Sequence, residues 1–117
     1  MNKLLVALGA INAGIAVAAG AFAAHGLRER LAARALEIFE TGARYQMYHA
    51  LAMILAAVVA TSGARTAGWI FQGGIVVFSG SLYALALSDV KVLGAITPIG
   101  GLAFLLGWAI LIWSIGR

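Results

Sequence analysis

Residues 25–53 read HGLRERLAARALEIFETGARYQMYHALAM, and this stretch decides how the chain is organised. It opens on His25-Gly26, continues as a charged amphipathic segment, and ends where Tyr45-Gln46-Met47-Tyr48-His49 enters a long apolar run. Both histidines, three of the four acidic residues and half of the basic residues lie within it. The remainder is mostly apolar, so polar chemistry has to be sought in this stretch or in what packs against it.

The composition indicates a protein that is solvated by lipid. Of its 117 residues, 63% are hydrophobic and 10% are charged, and the mean hydropathy is +1.01. A water-soluble domain of this size could not bury so much apolar surface. The net charge of +4 does not indicate a nucleic-acid partner, because the basic residues flank apolar segments instead of forming one face. The absence of cysteine excludes disulfides, thiolate metal sites and a cysteine nucleophile.

Four apolar segments are candidates to cross a bilayer, at about residues 4–25, 45–61, 67–87 and 92–115. About 20 helical residues span a hydrocarbon core of roughly 30 Å. The second segment is short for a crossing, and it spans only if its amphipathic start at Tyr45 lies in the headgroup zone or faces the protein.

The first segment also has features of a secretory signal peptide. Lys3 supplies a basic start, and Ala21-Phe22-Ala23 resembles a cleavage site. Its apolar run is, however, longer than the roughly 7 to 15 residues of a signal-peptide core. A stripe of small residues of the kind that lets membrane helices approach closely runs along it: Gly9, Ala13, Ala16, Gly20 and Ala23. We therefore expect a packing helix, in which Asn12 forms an interhelical hydrogen bond.

Residues 27–43 predict a separate amphipathic helix that lies in the membrane interface. One half of its helical wheel is apolar, and the other half carries all of its charges except Arg28. The charges are open to two interpretations. They form a basic strip for anionic lipid, or they form a solvated face held by the pairs Arg34–Glu37 and Glu40–Arg44.

Glycine and proline mark the expected turns. Gly26 is predicted to end the first helix in a left-handed cap, and Gly63 to supply a positive φ in a polar turn over residues 61–66. Pro98 is predicted to kink the last helix. The sequence therefore predicts an all-α membrane protein: an antiparallel four-transmembrane-helix bundle with an amphipathic interfacial helix between spans one and two, as a single integral membrane domain over residues 1–117.

Threading four crossings gathers most polar side chains in one half of the molecule. The other half receives Gln72 together with Lys3, Arg65 and Arg117. Since unpaired polar groups are costly in hydrocarbon, this asymmetry predicts a connected hydrogen-bond network or a wet vestibule. The candidate functional residues in and next to the polar half are Asn12, His25, Glu40, Arg44, Tyr45, Gln46, Tyr48, His49, Ser79, Ser81, Tyr83 and Thr97.

Neither a catalytic site nor a cofactor site is predicted. Two histidines suggest a metal or haem ligand pair, but no motif supplies a third ligand, so we expect no metal and no cofactor. A proton relay through His49, Tyr48 and Glu40 is chemically possible because histidine titrates near neutrality. No span carries an acidic residue, which argues against a proton-coupled exporter of the small multidrug type. We expect a protein that is not an enzyme.

Four blocks of sequence carry a family resemblance: Gly20-Ala21-Phe22-Ala23-Ala24-His25-Gly26-Leu27, residues 39–51, residues 78–83 and residues 93–101. In the same order they resemble blocks of the YgdD/YwdK family of small inner-membrane proteins. One departure is an alanine, at 23 or 24, where a glycine is expected. The resemblance implies a four-span, multi-pass protein of the bacterial plasma (inner) membrane, in a family without an established substrate or reaction.

Two functional hypotheses remain open. The first is a non-enzymatic accessory or scaffold protein, or a lipid-contacting one, whose partners are membrane lipids and a homo-oligomer or larger membrane complex. The alternative is a small oligomeric transporter or channel that uses the polar half around His49, Tyr83 and Asn12. A transporter predicts that Asn12, Ser79, Tyr83 and Thr97 line a common cavity. A scaffold predicts a dry core with small-residue stripes exposed to a partner.

Overall fold

Four α-helices make up the computed structural model, which describes residues 1–116: α1 (Lys3–Ala24), α2 (Ala33–Val59), α3 (Ser62–Ser88) and α4 (Val92–Ile115). Three of them, α1, α3 and α4, are long and apolar enough to cross a membrane. The all-helical prediction is confirmed, and the predicted bounds of the first and last spans agree with α1 and α4 to within about a residue.

The predicted interfacial helix is not a separate helix. Residues 27–32 form turns, in which the Leu27 carbonyl accepts from the amides of Arg30 and Leu31 at 3.0 and 2.9 Å. The rest of the segment is the start of α2, which continues without a break through the predicted second span. One unbroken spacing explains this continuity, because positions 39, 42, 46, 49, 53 and 56 are all buried and follow each other at alternating intervals of three and four. The charged residues of α2 end at Arg44, whereas the stripe of buried residues continues to residue 56.

The connection between α2 and α3 is only two residues long, so the predicted polar turn over residues 61–66 is wrong. Thr61 caps α3 by accepting the amide of Ala64 on its hydroxyl at 3.0 Å, which places residues 62–66 inside that helix. The positive φ belongs to Ala60, at 63°, and not to Gly63. Gly26 is likewise not left-handed, since no glycine among the described residues has a positive φ.

The helices pack side by side in chain order, and each is antiparallel to the next. The pair α2–α3 forms the centre, α1 packs mainly on α2, and α4 packs mainly on α3. Within residues 1–116 the outer helices α1 and α4 do not contact each other. The helices are therefore staggered, so that α1 also reaches α3 and α2 also reaches α4, and the predicted antiparallel bundle is an open arrangement measuring 48 × 26 × 17 Å.

Glycines set the spacing of both outer helices. On α1, Gly9 of the predicted small-residue stripe lies against α2, and a Cβ on it would lie 2.8 Å from the Ala50 carbonyl oxygen, whereas a Cβ on Gly20 of the same stripe would meet nothing within 4 Å. Between α3 and α4, each helix offers a glycine to a phenylalanine of the other. A Cβ on Gly74 would meet the Phe104 ring at 2.6 Å, and a Cβ on Gly100 would lie 2.5 Å from the Phe78 amide nitrogen. These close approaches fix where the functional side chains of α2 and α3 lie.

Pro98 lies inside α4, which continues to Ile115. Proline lacks an amide hydrogen, so it cannot donate to the carbonyl of Gly94 one turn earlier. The kink that the sequence predicts at Pro98 stays a prediction.

Candidate functional site

Four side chains from three helices form one continuous chain of hydrogen bonds, which we call the polar chain. The Tyr83 hydroxyl donates to Gln46 Oε1 at 2.7 Å, and Gln46 Nε2 donates to Asn12 Oδ1 at 3.0 Å. Asn12 Nδ2 then donates to Gln72 Oε1 at 2.8 Å. Asn12 and Gln46 are 6% and 4% exposed, so the middle of the chain is held inside the protein. The expected interhelical hydrogen bond of Asn12 is therefore present.

The polar chain has a fixed direction, which is set by a backbone group. Asn12 Nδ2 also donates to the Leu8 carbonyl oxygen at 2.9 Å. Because a carbonyl oxygen only accepts, the Asn12 amide cannot be turned around without placing two oxygens against each other. Its orientation obliges Gln72 to present its oxygen inward and Gln46 to present its nitrogen to Asn12, which leaves Tyr83 as the donor at the other end.

A groove between α1 and α3 lies over the polar chain, and we call it the lateral groove. Its volume is ≈ 560 Å³. All four residues of the polar chain line it, together with Ser79 and Gly80. Its walls are aliphatic, and two of the wall residues, Ile11 and Val76, are 57% and 62% exposed on the outer surface. The groove is thus a polar-floored cleft that opens sideways to the surroundings of the helices.

Gln72 ends the polar chain at the groove with unused donors. Its oxygen accepts from Asn12, and its Nε2 has no hydrogen-bond partner among residues 1–116. The side chain is partly exposed and lines the groove. Every fully buried side-chain nitrogen and oxygen in the described chain has a partner. The two N–H groups of Gln72 are therefore the polar chain's open end.

His49 lies on the other side of α2 and is enclosed by aromatic rings. Its ring stacks on Phe104 with centroids 3.5 Å apart and planes 5° apart. Trp108 Nε1 donates to His49 Nε2 at 3.1 Å, and His49 Nδ1 lies 2.8 Å from the Tyr45 carbonyl oxygen. Since an indole N–H only donates and a carbonyl only accepts, these partners assign a neutral ring with its proton on Nδ1. Both ring nitrogens are occupied, so neither is offered to a ligand.

The other predicted site residues in the interior, Ser79, Ser81 and Thr97, form hydrogen bonds that hold neighbouring helices together. Ser79 Oγ donates to the Gly42 carbonyl at 2.7 Å, which ties α3 to α2. Ser81 and Thr97 share a hydrogen bond of 2.6 Å between α3 and α4. Ser79 also lines the lateral groove, but Thr97 does not. The common cavity predicted for a transporter therefore contains Asn12, Ser79 and Tyr83 without Thr97.

Four of the predicted site residues lie outside this arrangement, because their side chains are exposed: His25, Glu40, Arg44 and Tyr48. Tyr45 is also partly exposed, but its ring packs beside His49 and Phe78 with centroids 6.2 and 4.9 Å apart. His49 bonds to Tyr45 and Trp108 and to neither Tyr48 nor Glu40, so the relay considered from the sequence is not assembled. The pairs Arg34–Glu37 and Glu40–Arg44 are also not formed. The one ion pair in the described part of the chain joins Lys91 to Asp89 at 2.8 Å. Among these residues no three His, Asp or Glu side chains are grouped as metal ligands.

The sequence predicts Gln72 in the half of the molecule that holds Lys3 and Arg65, but it does not predict the hydrogen bond of Gln72 with Asn12. Asn12 is ten residues into α1 and Gln72 is eleven residues into α3, counting from Lys3 and Ser62. Because α1 and α3 run parallel, these two side chains lie at the same depth. Counting residues from the helix starts would have found the pair, but the expected start of the third span at residue 67 concealed it. The partnership of Trp108 with His49 has no comparable signal in the sequence.

Comparisons with known proteins agree on one family. Residues 19–101 match the model of a family described as a protein of unknown function, DUF423. A UPF0382 membrane protein of Staphylococcus aureus is 48% identical over 94% of this chain and 93% of its own length. The UPF0382 membrane protein YwdK of Bacillus subtilis is 45% identical over 94% of each chain. No solved structure matches. The resemblance to the YgdD/YwdK family is confirmed.

Proposed function

The chain belongs to the DUF423 family of membrane proteins, and from that premise we propose that it is a lipid-contacting, non-enzymatic protein that holds a membrane-soluble amphiphile in the lateral groove. The proposal includes four crossings of the bacterial plasma membrane. Its central observation is the open end of the polar chain at Gln72, which presents two hydrogen-bond donors inside an apolar cleft.

The helix lengths and packing support four crossings. At 1.5 Å per residue the helices are about 33 to 40 Å long, which exceeds a hydrocarbon core of roughly 30 Å. Three helices are apolar enough to span, and α2 is antiparallel to α1 and α3 and packed between them. If α1 and α3 cross, α2 crosses with them. Residues 45–59 of α2 account for only about 22 Å, so its charged first turns have to extend the crossing through the edge of the hydrocarbon into the headgroup zone.

Cysteine labelling tests the four crossings, because the chain has no cysteine of its own. We expect Arg28→Cys and Ser88→Cys to react with a membrane-impermeant maleimide from one side of the membrane, and Ser62→Cys from the other. The measurement is labelling of intact cells against inverted vesicles, with the cysteine-free parent as control. Labelling of positions 28 and 62 from the same side would show that α2 does not cross.

The depth of Gln72 restricts what the groove can hold. Gln72 lies three residues from Ile75, the middle residue of α3, which is about 4.5 Å along the helix axis. An unpaired amide at that depth costs a few kcal/mol. Acyl chains offer no acceptor, and the ester carbonyls of phospholipids lie at the edge of the hydrocarbon. The favoured occupant is therefore a neutral amphiphile with a carbonyl or hydroxyl oxygen that resides within the hydrocarbon.

The size of the groove favours a small molecule over a helix of another protein. The lining residues on α3 extend from Gln72 to Tyr83, which is roughly 16 Å of helix. A volume of ≈ 560 Å³ lies within the range of roughly 300 to 1,000 Å³ that is usual for small-molecule sites. The aliphatic walls of the groove can contact the apolar part of the amphiphile, and its polar floor can donate a hydrogen bond to one ligand oxygen.

Two substitutions test the groove from different sides. Gln72→Leu removes the donors, and Gly80→Leu fills the groove at a position where a Cβ meets nothing within 4 Å. We expect each to reduce the amount of co-purifying amphiphile about tenfold, the effect of losing roughly 1.4 kcal/mol of binding. The measurement is mass spectrometry of protein extracted from native membranes in lipid nanodiscs.

The matched control is Thr66→Val, which removes a polar group from α3 outside the groove. Its amphiphile content should equal that of the parent. Equal retention by Gln72→Leu and Gly80→Leu, or a parent protein that carries no such molecule, would contradict the proposal.

Transport is the second candidate function, because the groove unites Asn12, Ser79 and Tyr83. It would act by moving the bound amphiphile between leaflets, since the cleft opens sideways. Reconstituted protein would then accelerate the exchange of the co-purified molecule between leaflets, and a purely binding protein would not. A role as an accessory subunit or as a homo-oligomer stays a prediction.

A further inference from the structure

A second cavity lies at the end of the molecule where α2 begins and α3 ends. Its volume is ≈ 560 Å³, and it shares no residue with the lateral groove. The turns before α2 contribute Arg30 and Leu31, and the first part of α2 contributes Arg34 and Ile38. The residues after α3 contribute Asp89 and Lys91. Cationic and aliphatic side chains therefore line one space at the boundary between apolar helices and polar turns.

The cavity carries an excess of positive charge. Arg30, Arg34 and Lys91 contribute three cations, and Asp89 is the one carboxylate in the lining, which leaves a net charge of two. Asp89 is paired with Lys91 at 2.8 Å. Neither Arg30 nor Arg34 has an ion-pair partner within residues 1–116. Two guanidinium groups are thus available to a ligand at the mouth of the same cavity.

The backbone adds to this charge. No side chain caps the start of α2, and its first turn contains no acidic residue. The amides of that turn are unpaired within the helix and carry partial positive charge, so they complement the two arginines. Leu31 and Ile38, both half-buried, supply apolar surface beside the charges. The lining as a whole matches a molecule that is anionic at one end and hydrocarbon at the other.

We propose that this cavity binds an anionic phospholipid, with the phosphate held by Arg30 and Arg34 and an acyl chain along Leu31 and Ile38. Basic pockets at the ends of membrane helices recognise anionic headgroups by this combination of charge and apolar contact. Arginine suits the phosphate because its guanidinium donates two parallel hydrogen bonds. Of the two interpretations of the charges in residues 27–43, the structure supports the lipid-binding one at Arg30 and Arg34, since the intrahelical pair that would occupy Arg34 is not formed.

The test uses the full-length protein in detergent, with equal amounts of phosphatidylglycerol and phosphatidylcholine of identical acyl chains. Native mass spectrometry measures the ratio of the two bound lipids. We expect the parent to prefer phosphatidylglycerol and the double variant Arg30→Gln/Arg34→Gln to lose that preference by roughly ten- to thirtyfold, since each basic residue near a membrane surface contributes about 1 kcal/mol.

The control variant Arg28→Gln/Arg65→Gln has the same net charge as Arg30→Gln/Arg34→Gln, and neither Arg28 nor Arg65 lines the cavity. It should keep the preference of the parent. An equal loss in both double variants would show that overall charge decides binding and would overturn the site, as would an unchanged preference in Arg30→Gln/Arg34→Gln. Free glycerophosphate in large excess should leave the lipid bound. Displacement by it would assign the site to a soluble phosphate and overturn the phospholipid.

Discussion

Gly100→Ala is expected to lower the free energy of unfolding by about 2 kcal/mol, within the range of roughly 1 to 3 kcal/mol for overpacked sites. The added methyl would lie 2.5 Å from the amide nitrogen of Phe78 and 2.6 Å from its Cβ. Because one of the clashing atoms is backbone, no rotamer change relieves the contact, and α3 and α4 have to separate. That separation also loosens the contact between Gly74 and Phe104 on the same interface.

The control stands one residue away. A Cβ on Gly101 would approach the Phe78 ring no closer than 3.9 Å, an ordinary contact. Gly101→Ala should therefore leave stability unchanged or raise it by up to about 1 kcal/mol, because alanine favours helix over glycine. The measurement is unfolding by dodecyl sulfate titration in mixed micelles, followed by circular dichroism. Equal stabilities for the two variants would mean that α3 and α4 are not held as closely as the structure places them.

Asn12→Leu is expected to lower the free energy of unfolding by a similar amount, about 2 kcal/mol. The substitution keeps the number and branching of the side-chain heavy atoms but removes the centre of the polar chain, so that Gln46 and Gln72 lose partners in an apolar surrounding. Hydrogen bonds between membrane helices contribute about 0.6 kcal/mol each on average, and unpaired buried groups add roughly 1 to 3 kcal/mol.

A double-mutant cycle separates the hydrogen bond from general packing. Gln72→Leu alone should lower the free energy of unfolding by only about 0.6 kcal/mol, since it removes one interhelical hydrogen bond while Asn12 Nδ2 can still donate to the Leu8 carbonyl and to Met53 Sδ. In the Asn12→Leu background the same change should be neutral or stabilising, because it removes an amide that has already lost its partner. The readout is the same dodecyl sulfate titration. Additive losses would show that Asn12 and Gln72 are not coupled.

Apolar length and the position of chain breakers were enough to predict much of this fold. The bounds of α1 and α4 follow from runs of apolar residues that end near polar or turn residues. The sequence does not predict the continuity of α2, because the change from charged to apolar surface at Arg44 resembles a boundary between two helices. That change reflects the surroundings of the helix. The buried stripe of α2 continues from residue 42 to residue 46 with the same spacing as before and after.

The sequence predicts which residues belong to the site better than it predicts which of them are hydrogen-bonded to each other. Asn12, Gln46 and Tyr83 were expected to share a polar region, and they do so as neighbours in one chain. Gln72 and Trp108 were not expected as partners, because both contacts depend on the relative depth and rotation of helices. The depth and rotation of the helices are set by the glycine contacts between them. A single sequence does not show which glycine packs against which helix. Ala60 shows the same limit, since the two-residue connection gives it the positive φ, 63°, that the sequence predicts at Gly63.

The absence of contact between α1 and α4 makes the bilayer a structural component of this protein. In a closed bundle the outer helices shield one another, whereas here α1 and α4 each keep one side that no other helix covers. Membrane thickness and lateral pressure therefore act directly on the two outer seams, α1 with α2 and α3 with α4. The resting shape of the molecule is set jointly by its own side chains and by the composition of the membrane around it.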